Sequence, residues 1–269
     1  MSAFEETPDG AWRVEGFATA LPQRGMAEAA LAVAWAARHE APPELAIESV
    51  APRDWLGDNQ ASFPPMAVGR FLVHGSHHRM AVPAGRIGLL IDAATAFGTG
   101  EHATTRGCLV ALQRRARRRA PPQRLLDMGS GTGILAIAAA KVWRRHVLAR
   151  DIDIEAVRGA AVNAARNGVA GLVSSRRSNG YRDRAVRRSG PFDLVFANIL
   201  ARPLAAMAHD LARHLAPGGI AVLSGLLAHQ ERYVLCAHRA QRLVLIERIA
   251  IDGWHTLVLR RPASLDLNE

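Results

Sequence analysis

From Arg124 to the end of the chain, short apolar runs alternate with longer stretches whose apolar residues recur every three or four positions. That is the pattern of strand and helix in turn. "RLLDMG" reads as a short buried strand, "GILAIAAAKVW" as a helix, "HVLARDID" as a strand, and "IEAVRGAAVNAARNG" as a helix ending at Gly168. "FDLVFANIL" follows as a strand, "ARPLAAMAHDLARHLAPGG" as a helix closed by Pro217-Gly218-Gly219, "IAVLSGLL" as a strand and "AHQERYVLCAHRAQ" as a helix. Such alternation implies an α/β fold, a parallel sheet with helices on both faces. The last two runs, "RLVLIERIAI" and "GWHTLVLRR", have no helix between them, so they pair antiparallel and the sheet ends in a reversed hairpin strand.

The front of the chain has a different rhythm. "WRVEGFATA" from Trp12 predicts a strand, Met26 to Glu40 an amphipathic helix and "ELAIESVA" from Glu44 another strand, together a small α+β unit. Asp54 to Thr95 is rich in proline and glycine, with short strand-like runs at Phe71–His74 and Ile87–Ile91, and reads as a connecting arm. The expected organisation is a small α+β domain over residues 1–53, an arm over 54–95 and a large α/β domain over 96–269. A length of 269 residues suits one large core plus a small appendage, since single cores stop growing near ~250–300 residues.

Composition narrows this picture only in places. No apolar run reaches the ~18 residues of a membrane span, and "MSAFEETPDGAW" lacks a basic stretch followed by an apolar one. No membrane association and a cytoplasmic location are therefore expected. Cys108 and Cys236 stand far apart and outside any CxxC spacing, which indicates neither a disulfide framework nor a zinc site. The net charge of +10 is nearly all arginine, Lys141 being the only lysine. Charge of that sign suits RNA but also follows from plain arginine bias, and the densest cluster, Arg114 to Arg119, ends in Pro121-Pro122 like a solvated helix end and its linker.

Three elements carry chemistry. "LLDMGSGTG" puts Asp127 at a strand end and Gly129, Gly131 and Gly133 through the turn into a helix, where backbone must take positive φ or let a ligand approach closely. A carboxylate two residues before the first glycine would repel a pyrophosphate, so Asp127 suits a cationic or hydroxyl-bearing ligand. About twenty residues on, Asp151 ends the next strand, where a carboxylate can take both hydroxyls of a ribose, while Asp153 reads as the cap of the following helix. Asn198 ends the strand "FDLVFAN" and points into the same crevice beyond the carboxyl ends of the strands.

In that order these elements resemble a class I S-adenosylmethionine-dependent methyltransferase. The finer match of "AFGTGEHATT", "ANILARPL", "LSGLL" and "GWHTLVLRR" resembles the PrmA-type bacterial methyltransferases of ribosomal large-subunit protein eleven, from about Asp54 to Arg261. The resemblance implies a Rossmann-like, doubly wound, seven-stranded sheet and S-adenosylmethionine as cofactor. It implies cofactor contacts at Thr105, Gly129, Asp151 and Asn198, beside Asp127, Gly131 and Gly133, with Asn198 also aiming the acceptor amine. It further implies a lid over the cofactor carrying Phe97, Gly98, Thr99, His102 and Thr104. No metal is expected, because Glu101 and His102 are adjacent and no further ligand stands at a suitable spacing.

The residue three places after Asn198 bears on the substrate. Methyltransferases of planar amines typically carry a stacking aromatic there; here it is Ala201, which favours an aliphatic amine, from a lysine side chain or a protein N-terminus. The implied partner is the large-subunit ribosomal protein, with no stable nucleic-acid partner, and a monomer is expected. Lysine methylation of another protein, such as an electron-transfer flavoprotein, and RNA methylation are the alternative enzyme readings. A noncatalytic module is disfavoured by the intact Asp127, Gly129, Asp151 and Asn198. The chain departs from the family in its recognition domain, of which about fifty residues resemble one β-α-β half, and in Glu101 and Ala103 where threonine and proline are frequent.

Overall fold

A computed structural model describes residues 2–5, 12–15, 22–36, 42–48, 64–78, 81–92, 101–118 and 120–263. The chain forms two compact units, Met1–Asp54 and Trp55–Glu269.

In the first unit, β1 (Ser2–Glu5) pairs antiparallel with β2 (Trp12–Glu15), and α1 spans Arg24–Ala36. Arg24 ties α1 to the segment after it by donating to the Leu45 carbonyl at 3.0 Å. Of the strand expected from Glu44, the described part, up to Glu48, is irregular, without a ladder partner among the described residues.

The second unit opens with a three-stranded sheet, β3 (Met66–Val68), β4 (Phe71–His74) and β5 (Ile87–Leu90), in the segment read as an arm. Val68, Phe71, Leu89 and Ile91 pack into the main core. The seven-stranded sheet contains β6 (Leu125–Met128), β7 (Val147–Asp151), β8 (Val173–Arg177), β9 (Phe192–Asn198), β10 (Leu215–Leu227), β11 (Val244–Ile251) and β12 (Trp254–Arg260). Its order is β11-β12-β10-β9-β6-β7-β8. Six strands run in one direction, and β12 slots between β10 and β11 antiparallel to both, so the expected reversed strand lies inside the sheet.

The helices are α2 (Glu101–Ala116), α3 (Ile134–Trp143), α4 (Ile154–Arg166), α5 (Arg184–Ser189), α6 (Ala201–Ala206), α7 (Ala208–His214) and α8 (Glu231–Arg239). Neighbouring strand residues feed opposite cores, as a period of two requires. Leu125 and Leu194 pack with Leu109, Leu112 and Ile137, while Leu126 and Val195 pack with Leu204, Leu211 and Val234. Central strands buried on both faces explain the near-continuous apolar runs in the sequence.

Three elements depart from the periodicity. β8 reads "VSSRR", with one apolar residue, so its strand character comes from pairing with β7 rather than from its own pattern. The helix expected over 201–219 breaks at Met207 and stops at His214; Pro217 to Gly219 instead start β10, where Gly218 donates to Arg261 O at 2.8 Å and Arg261 donates back to Gly219 O at 3.0 Å. The threonine-rich stretch expected to form a lid is helical from Glu101 onward.

β6 has β9 on one side and β7 on the other, so the chain reverses its direction of sheet growth here. The crevice beyond the carboxyl ends of these strands is where open α/β sheets bind ligands.

Candidate active site

The loop from Gly129 to Gly133 is held by backbone from the neighbouring strand. Gly129 and Ser130 N–H both donate to Arg150 O, at 2.7 and 3.0 Å. Gly129 has φ +69°, and a Cβ there would lie 2.2 Å from Ile199 Cγ2, so both its conformation and its surroundings demand glycine. At Gly133, φ +79°, a Cβ would meet that of Ala160 at 2.9 Å; its absence lets α3 start close against α4. Asn163 of α4 donates to Thr132 O at 3.0 Å and to Asp92 O at 3.3 Å, which joins the loop to the end of the three-stranded sheet.

The two strand-end carboxylates differ. Asp151 is half-buried and engaged on both oxygens, Oδ2 by Gly131 N–H at 2.8 Å and Oδ1 by Asp153 N–H at 3.0 Å. Asp153 caps α4 by accepting from Glu155 N–H at 2.9 Å, as expected. Asp127 is 1% exposed; its Oδ2 accepts from Ala136 N–H at 3.0 Å, and its Oδ1 has no partner in the protein. Burial, reinforced by the nearby Asp151 charge and opposed by the Ala136 hydrogen bond, pushes its pKa up to about 7. Five buried side-chain polar atoms lack a partner among the described residues, and three of them, Asp127 Oδ1, Ser130 Oγ and Thr132 Oγ1, line this one turn. Buried polar atoms are normally satisfied, so their concentration here marks a place built for a polar ligand.

Across the crevice, Asn198 Nδ2 donates to Thr105 Oγ1 at 3.4 Å, a contact spanning 93 residues of sequence. Thr105 is buried in the second turn of α2 and Asn198 is half-buried at the end of β9. Ile199, next to Asn198, is the residue that Gly129 makes room for, so the two halves of the site meet there. Gly225 makes similar room for the Ile199 backbone: a Cβ on it would lie 2.3 Å from Ile199 O.

Two residues to which the sequence reading gave no role fix this half. Ser224 is fully buried, in register with Asn198, and its hydroxyl bonds Thr256 Oγ1 at 2.8 Å and donates to Thr104 O at 3.3 Å. Gly107 admits Thr256 closely, since a Cβ would lie 2.1 Å from Thr256 Oγ1. The available signal was polarity: one serine inside the apolar run "IAVLSGLL" and one glycine inside a helix. Cys108 beside them is no nucleophile, because burial raises its thiol far above the usual range.

Asp127, Gly129, Gly131, Gly133 and Asp151 thus come together at one side, and Thr105 with Asn198 at the other. Thr104 is buried behind the second pair. Phe97, Gly98 and Thr99 lie outside the described residues, as does the side chain of His102. Among the described residues, no group of three or more His, Cys, Asp or Glu could hold a metal ion, and no helix is long and apolar enough to cross a membrane.

The model of one family, ribosomal protein L11 methyltransferase (PrmA), matches residues 6–262. The chain belongs to that family. A ribosomal protein L11 methyltransferase of Rhodopseudomonas palustris (strain BisB5) is 44% identical over 261 residues, covering 97% of this chain and 87% of the relative. One from Bradyrhizobium diazoefficiens is 46% identical over 262 residues with the same coverage of both. The crystal structure of a ribosomal protein L11 methylase from Lactobacillus delbrueckii subsp. bulgaricus aligns with a TM-score of 0.66 at 27% identity, over 74% of this chain and all of that one. The glycine turn and the Asn198–Thr105 pair both lie at the carboxyl ends of neighbouring strands, at the switch point of the sheet.

Proposed function

We propose that this chain transfers methyl groups from S-adenosylmethionine to aliphatic amines, lysine side chains or the N-terminus, of ribosomal protein L11. The observation that carries this reading is the pairing of two unlike halves at one crevice. One is a glycine turn with three partnerless buried polar atoms, and the other is an amide held by a hydroxyl.

S-adenosylmethionine, when bound, supplies an electrophilic methyl group on a positively charged sulfur. Asp127 Oδ1 would accept from its ammonium group, and Ser130 and Thr132 hydroxyls from their buried positions would serve its polar end. Asp151 keeps a further lone pair on each oxygen beyond its two backbone bonds and would take the ribose hydroxyls.

On the acceptor side, the amine must arrive uncharged, since only a free lone pair attacks. Burial next to a sulfonium favours the neutral form of a lysine, whose ordinary pKa is about 10.4, so no strong base is required of the protein. Thr105 engages Asn198 Nδ2, which leaves the Asn198 carbonyl oxygen to accept a hydrogen bond from the amine and aim its lone pair at the methyl carbon. Holding the reactants in line converts a bimolecular displacement into a unimolecular one, a large part of such a rate enhancement. Ala201, buried at the start of α6, leaves no aromatic platform for a planar nucleobase, which supports an aliphatic amine over RNA.

Incubating the chain with methyl-labelled S-adenosylmethionine and ribosomal proteins from a strain lacking this activity tests the reading. Label in L11, with lysine or N-terminal methylation by mass spectrometry, is the expected result. Label only in RNA or in another protein would overturn the substrate assignment.

A further inference from the structure

Strand β8 is bonded to β7 alone among the described residues, and the chain after it folds back through α5. This edge concentrates positive charge. Arg176 and Arg177 end β8, Arg182 lies in the turn, and Arg184, Arg187 and Arg188 lie on α5; all six are exposed. The one carboxylate between Val173 and Ser189, Asp183, does not neutralise them. It accepts from the buried Arg150 Nε at 2.5 Å and from Ala185 N–H at 3.1 Å, and of the six only Arg176 acts on its charge. Among the described residues no ion pair joins any of the six to a carboxylate, and Glu155 on the adjacent α4 is taken by Arg158.

The arrangement works against the fold. Arg187 and Arg188 stand three and four residues after Arg184 on one short helix, where like charges repel, and no ion pair among the described residues offsets that. The dense cluster of the sequence, by contrast, is partly used internally, since Arg114 pairs with Glu247. Position adds a second point: Arg177 is in register with Asp151, so the band begins beside the candidate ribose carboxylate and runs away from it along the edge.

We infer that this edge is a docking surface for the phosphate backbone of RNA, bound without sequence preference. Guanidinium forks match phosphate oxygens two at a time, and a row of them whose one intervening acid is taken by a buried arginine is the electrostatic footprint of a polyanion site. Tyr181, the one aromatic residue in the segment, is buried, so bases find nothing to stack on and contact is with the backbone. This inference is independent of the methyl-transfer reading, and it revises the expectation of no nucleic-acid partner.

The test is fluorescence anisotropy of a labelled oligouridylate of about 20 nucleotides with the full chain, titrated from about 50 to 200 mM salt. Wild type is expected to bind with an affinity that falls steeply with salt. The triple variant Arg184→Gln, Arg187→Gln, Arg188→Gln should bind more than tenfold more weakly at low salt. Its log–log salt slope should drop by about two, at ~0.7 per single-strand phosphate contact. Its circular dichroism should be unchanged; should it fail to fold, Arg182→Gln with Arg187→Gln replaces it and should lose about two-thirds as much slope. A control, Arg117→Gln with Arg118→Gln, should keep the wild-type slope. Absence of wild-type binding, an unchanged slope in the triple variant, or a larger loss in the control would overturn the proposal. So would displacement of the RNA by polyglutamate at equal charge, which would assign the edge to an acidic protein instead.

Discussion

The two halves of the crevice are assembled in different ways. The glycine side is local: Asp127, the three glycines, Asp151 and Asp153 lie within one strand-turn-helix-strand segment, and their backbone bonds to one another fix the turn. The amide side is long-range: Thr105, Asn198, Ser224 and Thr256 come from one helix and three strands, and nothing but the sheet's strand order brings them together. Local assembly makes a rigid cradle for a constant ligand. Long-range assembly makes a geometry that depends on the whole core, which suits the half that aims an acceptor. If that division is real, the halves should fail differently when altered.

The largest effect is expected on turnover at the amide side. Asn198→Ala should lower kcat by roughly a hundredfold, the scale of losing one positioned polar group, while the Kd for S-adenosylmethionine changes by less than tenfold; single-turnover transfer and calorimetry read the two separately. A parallel collapse of both would erase the distinction between the halves. Next, Gly129→Ala places a methyl where Ile199 stands and forces a positive φ, costing about 1–2 kcal/mol for the backbone alone. Cofactor affinity should fall by at least about tenfold, with kcat at saturating cofactor much less affected. Unchanged cofactor binding in this variant would deny the glycine turn its role.

Smaller effects sharpen the contrast. Thr105→Val removes the hydroxyl that holds Asn198 and should cost kcat about three- to tenfold, the worth of one ordinary hydrogen bond. Thr105→Ser should restore it, whereas a purely steric role for Thr105 would give the reverse ranking. The last effect concerns pH. With its pKa pushed up to about 7, the Asp127 carboxyl is increasingly protonated below that pH and must lose its proton to receive a cationic ligand. Affinity for S-adenosylmethionine should therefore decline as pH falls below about 7, by up to about tenfold per pH unit, and Asp127→Asn should flatten the profile. Stability of the free protein should run the other way. An ordinary aspartate titrates near 3.9, so between about 4 and 7 the folded state holds the extra proton and loses stability as pH rises, which thermal melts across that range would register.

The same contrast explains what the sequence made legible. The glycine turn, the strand-end carboxylate Asp151, the Asp153 cap and the parallel sheet with its reversed strand all follow from local spacing or periodicity. Asn198 could be named from its place at a strand end, but Thr105 only through family resemblance, since their 3.4 Å contact is a product of the fold. Ser224 and Thr256 were missed because a buried hydroxyl inside an apolar strand carries no local signature of its partner. β8 was missed because its strand is imposed by β7, and the helical start of α2 because Gly98, Gly100 and the pair Thr104-Thr105 are poor helix formers.

The most direct test of the divided site is calorimetric titration of S-adenosylmethionine into the wild-type chain, Gly129→Ala and Asn198→Ala side by side. The division of labour predicts saturable binding by wild type, retained binding by Asn198→Ala and weakened binding by Gly129→Ala. Equal affinity in all three, or no binding by wild type, would contradict it.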